Sequence, residues 1–331
     1  MFSPRLRFSI PLSCPFVTPS ARSISQVAYL GPPGTFTEEA LLTQPDLAEA
    51  DHLLCRSIPE VLEAAAVGRV DLGFTAIENS IEGTVNVALD ALIFEHDLLI
   101  QREVIIDVRL HLLGLPGASM EGIQRVISFP VATAQCRRYL IDNLPHAEEL
   151  AANSTAAAAR DLAISKDVSS AAIGTALSQK IYALELIATD IEDHPENQTR
   201  FVAVSKSGVP APTGNDKTSI VVFQRADRSG SLMGILAEFA ARSINLTKLE
   251  SRPTKKALGD YCFLIDLEGH VADQLVADCL TSIVAKHGEV KFLGSYPTTT
   301  TGSEEENNNA SAAWTEAQDW IEELRSQVTP D

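Results

Sequence analysis

The run Ser57-Ile-Pro-Glu-Val-Leu-Glu-Ala-Ala-Ala-Val67 leads through a short turn into Leu72-Gly-Phe-Thr-Ala-Ile-Glu-Asn-Ser80. Ser57 and Glu60 stand at capping-box spacing, so a helix opens there and runs to about Val67. Residues 72–77 are an apolar run of strand length that ends abruptly in Glu78, Asn79 and Ser80. The pairing recurs along the chain. Val27-Ala-Tyr-Leu30 reads as a strand, and Thr35 with Glu38 repeats the capping box at the next helix start. Residues 104–115, 125–128 and 171–173 read as further strands, and 133–144 and 155–165 as helices. This alternation over 26–206 predicts an α/β layer structure with largely parallel strands.

Outward from that region the pattern changes. Residues 207–216 read as a linker, because Val209-Pro-Ala-Pro-Thr-Gly-Asn215 has two prolines and a glycine and no apolar period. From 217 to 297 a strand (218–224), an amphipathic helix (232–242), two strands (244–252, 261–267), a helix (271–286) and a short strand (290–293) follow in turn. That βαββαβ order is the ferredoxin-like α+β arrangement, which leaves a sheet face and edges available to a second copy. Residues 1–25 carry Arg5, Arg7 and Arg22 among serines and prolines and no acid, which suits a disordered leader or an organellar transit segment. The tail, 298–331, is acidic, with Trp314, Ala317, Ile321, Leu324 and Val328 at the spacing of a short amphipathic helix.

Composition narrows the function. The 331 residues are 45% hydrophobic and 21% charged, a globular balance, and a formal net charge of −18 argues against nucleic acid. No apolar run is long enough to span a bilayer. The five cysteines form no C-x-x-C pair and the histidines no H-x-x-x-H spacing, so a zinc site has little support and reduced thiols in a cytoplasmic protein are expected. In so acidic a chain an anion binds only where local donors overcome the field, which directs attention to helix N-termini and single arginines.

Four polar segments lie where strands end or helices begin, the places at which open α/β sheets bind ligands. Gly31-Pro-Pro-Gly-Thr-Phe-Thr37 can turn sharply into a helix whose N–H groups face an anion. Glu78, Asn79 and Ser80, followed by Gly83 and Thr84, are poor core residues but good hydrogen-bonding ones; helix capping by Ser80 or Thr84 is the other reading. In Asn197-Gln-Thr-Arg-Phe201, Thr199 offers a hydroxyl and Arg200 a fork for a carboxylate, or a balance for the acidic loop before it. Ser154 or Thr155 caps an alanine-rich helix.

Together these segments resemble the prephenate dehydratase family. Gly-Pro-Pro-Gly-Thr-Phe-Thr-Glu at 31–38, Ile-Glu-Asn-Ser at 77–80 with Gly83, Gln135-Cys136, Ser154-Thr155 and Thr-Arg-Phe at 199–201 follow the family's order, and the likeness runs from about Val27 to Pro297. Gly230-Ser-Leu-Met233 and Glu250-Ser-Arg-Pro253 resemble the phenylalanine-binding elements of the family's regulatory ACT domain, with Asn245 and Leu246 at the head of the intervening strand. Two departures stand out. Ser128-Phe129-Pro130 replaces the family's usual Ser-His-Pro, and Ser231 and Met233 replace Ala and Val in the effector motif.

The resemblance implies a two-subdomain, periplasmic-binding-protein-like catalytic domain with its site in the cleft, over 26–206, plus an ACT domain over 217–297. It implies decarboxylating dehydration of prephenate to phenylpyruvate, with phenylalanine as feedback effector. Thr199 would hydrogen-bond the leaving hydroxyl, with Glu78 as the alternative acid if desolvation raises its pKa. Thr35, Asn79, Ser80, Gln135, Ser154, Thr155, Arg200 and Phe201 would hold the substrate. Gly230, Ser231, Leu232, Met233, Asn245, Leu246, Glu250, Ser251, Arg252 and Pro253 would form the effector site at a homo-oligomer interface, the short linker passing its state to the cleft. Removing 215–331 would then leave an active chain that ignores phenylalanine. No metal or organic cofactor is implied. Arogenate dehydration, and a catalytically dead amino-acid-binding protein, are the competing readings.

Overall fold

A computed structural model describes residues 24–224, 229–255, 260–299 and 320–327. The expected leader lies outside them as far as residue 23, as do 300–319 and 328–331 of the tail. The first subdomain runs β1 (Gln26–Leu30), α1 (Phe36–Leu42), α2 (Pro45–Ala48), β2 (Asp51–Cys55), α3 (Ile58–Ala66), β3 (Leu72–Asn79), β4 (Gly83–Thr84), α4 (Asn86–Asp90), a π turn (Ala91–Glu95) and β5 (Leu99–Asp107). The chain then crosses into a second subdomain: β6 (His111–Gly114), β7 (Arg125–Ser128), α5 (Pro130–Gln135), α6 (Arg137–Asn143), β8 (Glu148–Ala151), α7 (Thr155–Ser165), β9 (Ser170–Gly174), α8 (Ala176–Ile181) and β10 (Glu185–Ala188). It returns to the first sheet as β11 (Gln198–Ser205).

The two sheets are ordered β2-β1-β3-β11-β5, with β4 on β3, and β10-β6-β9-β7-β8. Parallel pairing is confined to β2-β1-β3 and β8-β7-β9. The remaining pairs are antiparallel, because strands that carry the chain between subdomains have no crossover helix to reverse them. For the same reason the single strand expected over 104–115 is two strands in different sheets. The helix expected over 133–144 breaks at Cys136, whose backbone is not helical (φ −113°, ψ 15°).

The third unit is β12 (Asp216–Gln224), α9 (Ser231–Ala240), β13 (Leu246–Pro253), β14 (Tyr261–Glu268), α10 (Gln274–Lys286) and β15 (Gly288–Pro297), an antiparallel sheet of order β13-β14-β12-β15. One face is covered by α9 and α10 through Ile235, Phe239, Val276 and Ile283. The other is not solvated. Val221, Leu264, Leu293 and Tyr296 share one apolar cluster with Ile100 and Val202 of the first subdomain. A Cβ on Gly294 of β15 would lie 2.6 Å from the Ile100 carbonyl oxygen, so the two backbones are in direct contact. The segment before β12 is tied down as well: Asp216 accepts from the Thr213 hydroxyl (2.8 Å) and the Gly214 N–H (3.0 Å). The domains share a core, which the proline-rich composition of the linker did not suggest. Of the tail helix, residues 320–326 are helical and exposed, including Trp320 at 60%.

Candidate functional site

Asn79 ends β3 and stands directly opposite Thr199 at the start of β11. Its amide Nδ2 donates to Thr199 Oγ1 (2.9 Å), to Asn197 Oδ1 (2.8 Å) and to the Gln198 carbonyl (3.1 Å). Its Oδ1 accepts from the N–H groups of Ile81 (3.0 Å) and Glu82 (2.9 Å). In the pairing with Asn79 the Thr199 hydroxyl is the acceptor, so its own proton is available to a ligand oxygen. Ser80 Oγ donates to Asn197 Oδ1 (3.3 Å) and accepts from the Gln198 N–H (2.9 Å). Asn79 and Ser80, expected to bind substrate, are both engaged within the protein, where they fix Thr199 and its loop.

Gln135 reaches this cluster from the second subdomain. Asn197 Nδ2 donates to its Oε1 (3.2 Å), and its Nε2 donates to Glu82 (3.3 Å). Asn197, 1% exposed, is the hub that residue types alone did not single out. A buried amide with partners on both subdomains ties the two together at this point.

Helix starts gather at a second junction of the two subdomains. Thr35 caps α1 by accepting the Glu38 N–H (3.3 Å), and Ser154 caps α7 by accepting the Ala157 N–H (2.9 Å), with Thr155 as the first helical residue. The Gly31–Thr35 loop is gripped by the second subdomain. The Gly34 carbonyl accepts from Thr175 Oγ1 (2.8 Å) and Ser178 Oγ (2.7 Å), and Tyr182 donates to the Pro33 carbonyl (2.7 Å). Gly174, next to Thr175, lies against the Thr155 carbonyl. The starts of α1, α7 and α8 thus meet at the seam of the two subdomains, and the eleven-residue α7 directs its positive end there. Beneath them Glu38 is buried, accepting from the Tyr29 hydroxyl (2.7 Å) and the Gly34 N–H.

Three expectations fail, two on strand geometry and one on burial. Alternate residues of a strand face opposite sides. Thr199 shares its face with Phe201, and Arg200 and Glu78 are turned away from it, toward the βαββαβ unit. Arg200 is 9% exposed and every guanidinium nitrogen has a partner: Nε with Glu103 (2.7 Å), Nη1 with Asp266 (2.7 Å) and Glu78 (3.4 Å), Nη2 with the Tyr296 hydroxyl (2.7 Å). Burial alone would lower its pKa, but Tyr296, Asp266 and Glu103 raise it well above the ordinary value, so it stays a cation. It has no fork left for a substrate carboxylate. Glu78 pairs with Lys248 (2.8 Å) and Arg200, so it is not an acid facing the cleft. Phe201 is 1% exposed and stacked on Phe74, a core residue. Lone charges such as Glu103 and Asp266 inside apolar strands were the legible sign that such a buried network exists.

The expected effector residues divide. Gly230, at φ 86°, starts α9, and Met233 on that helix is 74% exposed. Arg252 and Glu250 turn to the catalytic domain: Glu250 accepts from Thr84 Oγ1 (2.6 Å) and Arg252 (2.7 Å), and Arg252 also bonds Asn86 (2.8 Å) and Asp90. Ser251 and Pro253 are exposed on the outer strand β13. Pairing puts 250–253 at the same end of the sheet as the close of β12 and hence Gly230, whereas Leu246 opposes Leu267 at the far end. Asn245 there donates to Glu268 (2.9 Å). Along β13 the two groups stand roughly 13 to 23 Å apart at ordinary strand rise, so one chain does not gather them into a single pocket. Among the described residues no group of three or more His, Cys, Asp or Glu is placed to hold a metal, and no helix is long and apolar enough to cross a membrane.

Two α/β subdomains, joined at one place by the amide cluster that holds Thr199 and at another by converging helix starts, with a βαββαβ domain packed on the first sheet, define an α/β enzyme with an attached regulatory domain. The family model for prephenate dehydratase matches residues 27–208, and the chain belongs to that family. It is 40% identical over 313 residues to a prephenate dehydratase of Mycolicibacterium vanbaalenii, covering 90% of this chain and 98% of the relative. It is 40% identical over 272 residues to the bifunctional chorismate mutase/prephenate dehydratase of Aquifex aeolicus, covering 82% of this chain and 73% of that one. The solved prephenate dehydratase of Arthrobacter aurescens, in complex with L-Phe, matches with a TM-score of 0.82 at 37% identity, over 91% of this chain and 99% of that one. The Staphylococcus aureus enzyme matches at 0.71 and 29% identity, over 82% and 99%.

Proposed function

We propose that the protein converts prephenate to phenylpyruvate, water and carbon dioxide, in L-phenylalanine biosynthesis and under feedback control by phenylalanine. The observation that carries the site assignment is Thr199, held by Asn79 in a loop that also bonds Gln135 of the second subdomain. In the reaction the bond from the ring to its carboxylate breaks and that electron pair enters the ring. The C4–oxygen bond breaks with its pair, and the departing hydroxide takes up a proton to leave as water. Aromatisation drives the change, so the protein supplies position and electrostatics more than a strong acid. Thr199 donates a hydrogen bond to the C4 oxygen as negative charge builds on it. Thr35, Gln135 and the Ser154-Thr155 helix start orient the dianion's other oxygens. Asn79, Ser80 and Asn197 keep Thr199 in place.

The divided effector set gains sense in a pair of chains. Two β13 edges related by a two-fold axis run antiparallel, so the 245–246 end of one meets the 250–253 and Gly230 end of the other. The exposed Met233 (74%) and Leu249 (44%) lie on this side. The chain is read as a homodimer whose phenylalanine pockets span that junction, which accords with the Arthrobacter relative's complex with L-Phe. Cys55, Cys136, Cys262 and Cys279 are buried and unpaired, which suits a cytoplasmic setting.

The test is turnover: purified chain with prephenate, phenylpyruvate followed directly, with arogenate as the parallel substrate. Phenylpyruvate formation, inhibited by phenylalanine, is expected. Faster turnover of arogenate would reassign the substrate, and no turnover of either would leave an amino-acid-binding protein.

A further inference from the structure

Thr199 and Arg200 are neighbours on β11, and the pleat sends one to Asn79 and the other into the seam between the catalytic and regulatory domains. We propose that Asp266 and Tyr296 of the regulatory domain are positioning residues for Thr199, acting through Arg200, so that this domain completes the catalytic strand. The inference rests on reading Thr199 as the hydrogen-bond donor to the leaving group.

Two of the three guanidinium nitrogens depend on regulatory-domain atoms for their short bonds, Nη1 on Asp266 and Nη2 on Tyr296, each at 2.7 Å. The third bonds Glu103, which is itself shared with Lys217 Nζ (3.0 Å) and Thr298 of the regulatory side. Tyr296 is wholly buried and Asp266 is 3% exposed. Ser219 ties them together, donating to Asp266 (2.5 Å) and lying 2.6 Å from the Tyr296 oxygen. Arg200, Glu103, Asp266 and Tyr296 are all buried, so displacement of the regulatory sheet either carries Arg200 with it or strands a buried charge.

The strand itself is susceptible at this point. Between Arg200 and Phe201 the pairing with β3 slips by one residue, with Ile77 the extra one. At such a bulge the ladder is locally interrupted and strand direction is set by what the side chains contact. One residue earlier stands Thr199. On the neighbouring strand β5, the direct contact of Gly294 with the Ile100 backbone leaves no space for the domains to slide without moving the sheet.

The test uses the full chain without phenylalanine. Tyr296→Phe keeps the ring and its burial and removes the oxygen; Asp266→Asn keeps the shape and removes the charge. Each is measured for kcat and KM on prephenate, alone and combined with Thr199→Ala. Expected for each single variant is a kcat lower by about tenfold or more, with KM within about twofold, as for misplacement of a reacting group. In the Thr199→Ala background neither change should lower kcat further, since the group they position is gone. Near-normal kcat in both variants overturns the inference. So does an equal fold-loss in both backgrounds, which would mark a merely structural role. A wild-type chain that forms no phenylpyruvate overturns the functional reading itself, and this inference with it.

Discussion

At Thr199 a single hydroxyl accepts one strong bond and keeps its own proton to donate. Its side chain is half-buried and its hydroxyl accepts from Asn79. Thr199→Ala should lower kcat by roughly 10²-fold, the usual cost of one preorganised donor, while melting barely shifts. Near-normal kcat would remove Thr199 from the chemistry. Asn79→Ala is a different case. It takes one of two donors from buried Asn197 and the one donor to Thr199, so about 2 kcal/mol of stability should go as well as activity, at roughly 1 kcal/mol net per part-buried hydrogen bond. Thermal melting beside kcat separates the two variants; equal melting of both would show that Asn79 does not hold the loop. Thr199, Asn79, Gln135 and the caps were legible as residue types at strand ends. Asn197 was not, because nothing in a lone asparagine says that two subdomains will meet on it.

At the scale of elements, the caps of α1, α3 and α7 were readable, since capping depends only on residues three apart. Thr35, Ser57 and Ser154 each accept the expected N–H. The glutamates of the two capping boxes reach one residue further back than expected, Glu38 to the Gly34 N–H and Glu60 to that of Arg56. For α1 that extra step is what anchors the glycine loop. Gly34 itself stands at φ +92°, and a Cβ there would lie 2.7 Å from Ser178 Oγ. Gly34→Ala should therefore cost about 1–3 kcal/mol of stability through backbone strain, and raise KM by shifting Thr35. Unchanged melting and KM would mean that the loop adapts without cost. The strand β11 shows the limit of local reading. Its apolar run was legible, but which of Thr199 and Arg200 meets the βαββαβ unit depends on pairing with a strand more than a hundred residues away.

For the whole molecule, the shared interface changes what truncation does. A chain ending before residue 215 would expose Val202 and Ile100 and leave Arg200 with no Asp266 or Tyr296. It should aggregate or melt far below the intact protein, rather than persist as an unregulated enzyme as the linker composition suggests. A truncated chain with normal melting and full kcat would contradict the shared core. The same interface should respond to acid. Burial pushes the Asp266 carboxyl up, but the Arg200 charge, the Ser219 hydrogen bond and Lys217 more than offset this, and its pKa is held below the usual value. A carboxyl depressed by folding contributes stability above its unfolded value, about 4, and loses it as pH falls through the folded one. The gap in melting temperature between wild type and Asp266→Asn should then be widest near neutrality and close below about pH 4. A gap that widens in acid would reverse the sign of this account.

The sequence by itself determined the periods and the punctuation: strands and helices in α/β order, their caps, the βαββαβ unit, and the polar segments that mark the cleft. These depend on neighbours within a few residues, and a side-chain pattern is enough to specify them. Only the tertiary structure decided that the chain changes sheets after Asp107, that Arg200 serves the domain interface instead of a ligand, and that the proline-rich linker joins two parts of one core. Each of those depends on pairing and burial between segments far apart in the chain. A charge placed in an apolar strand announces that it needs a partner, and folding alone selects which one.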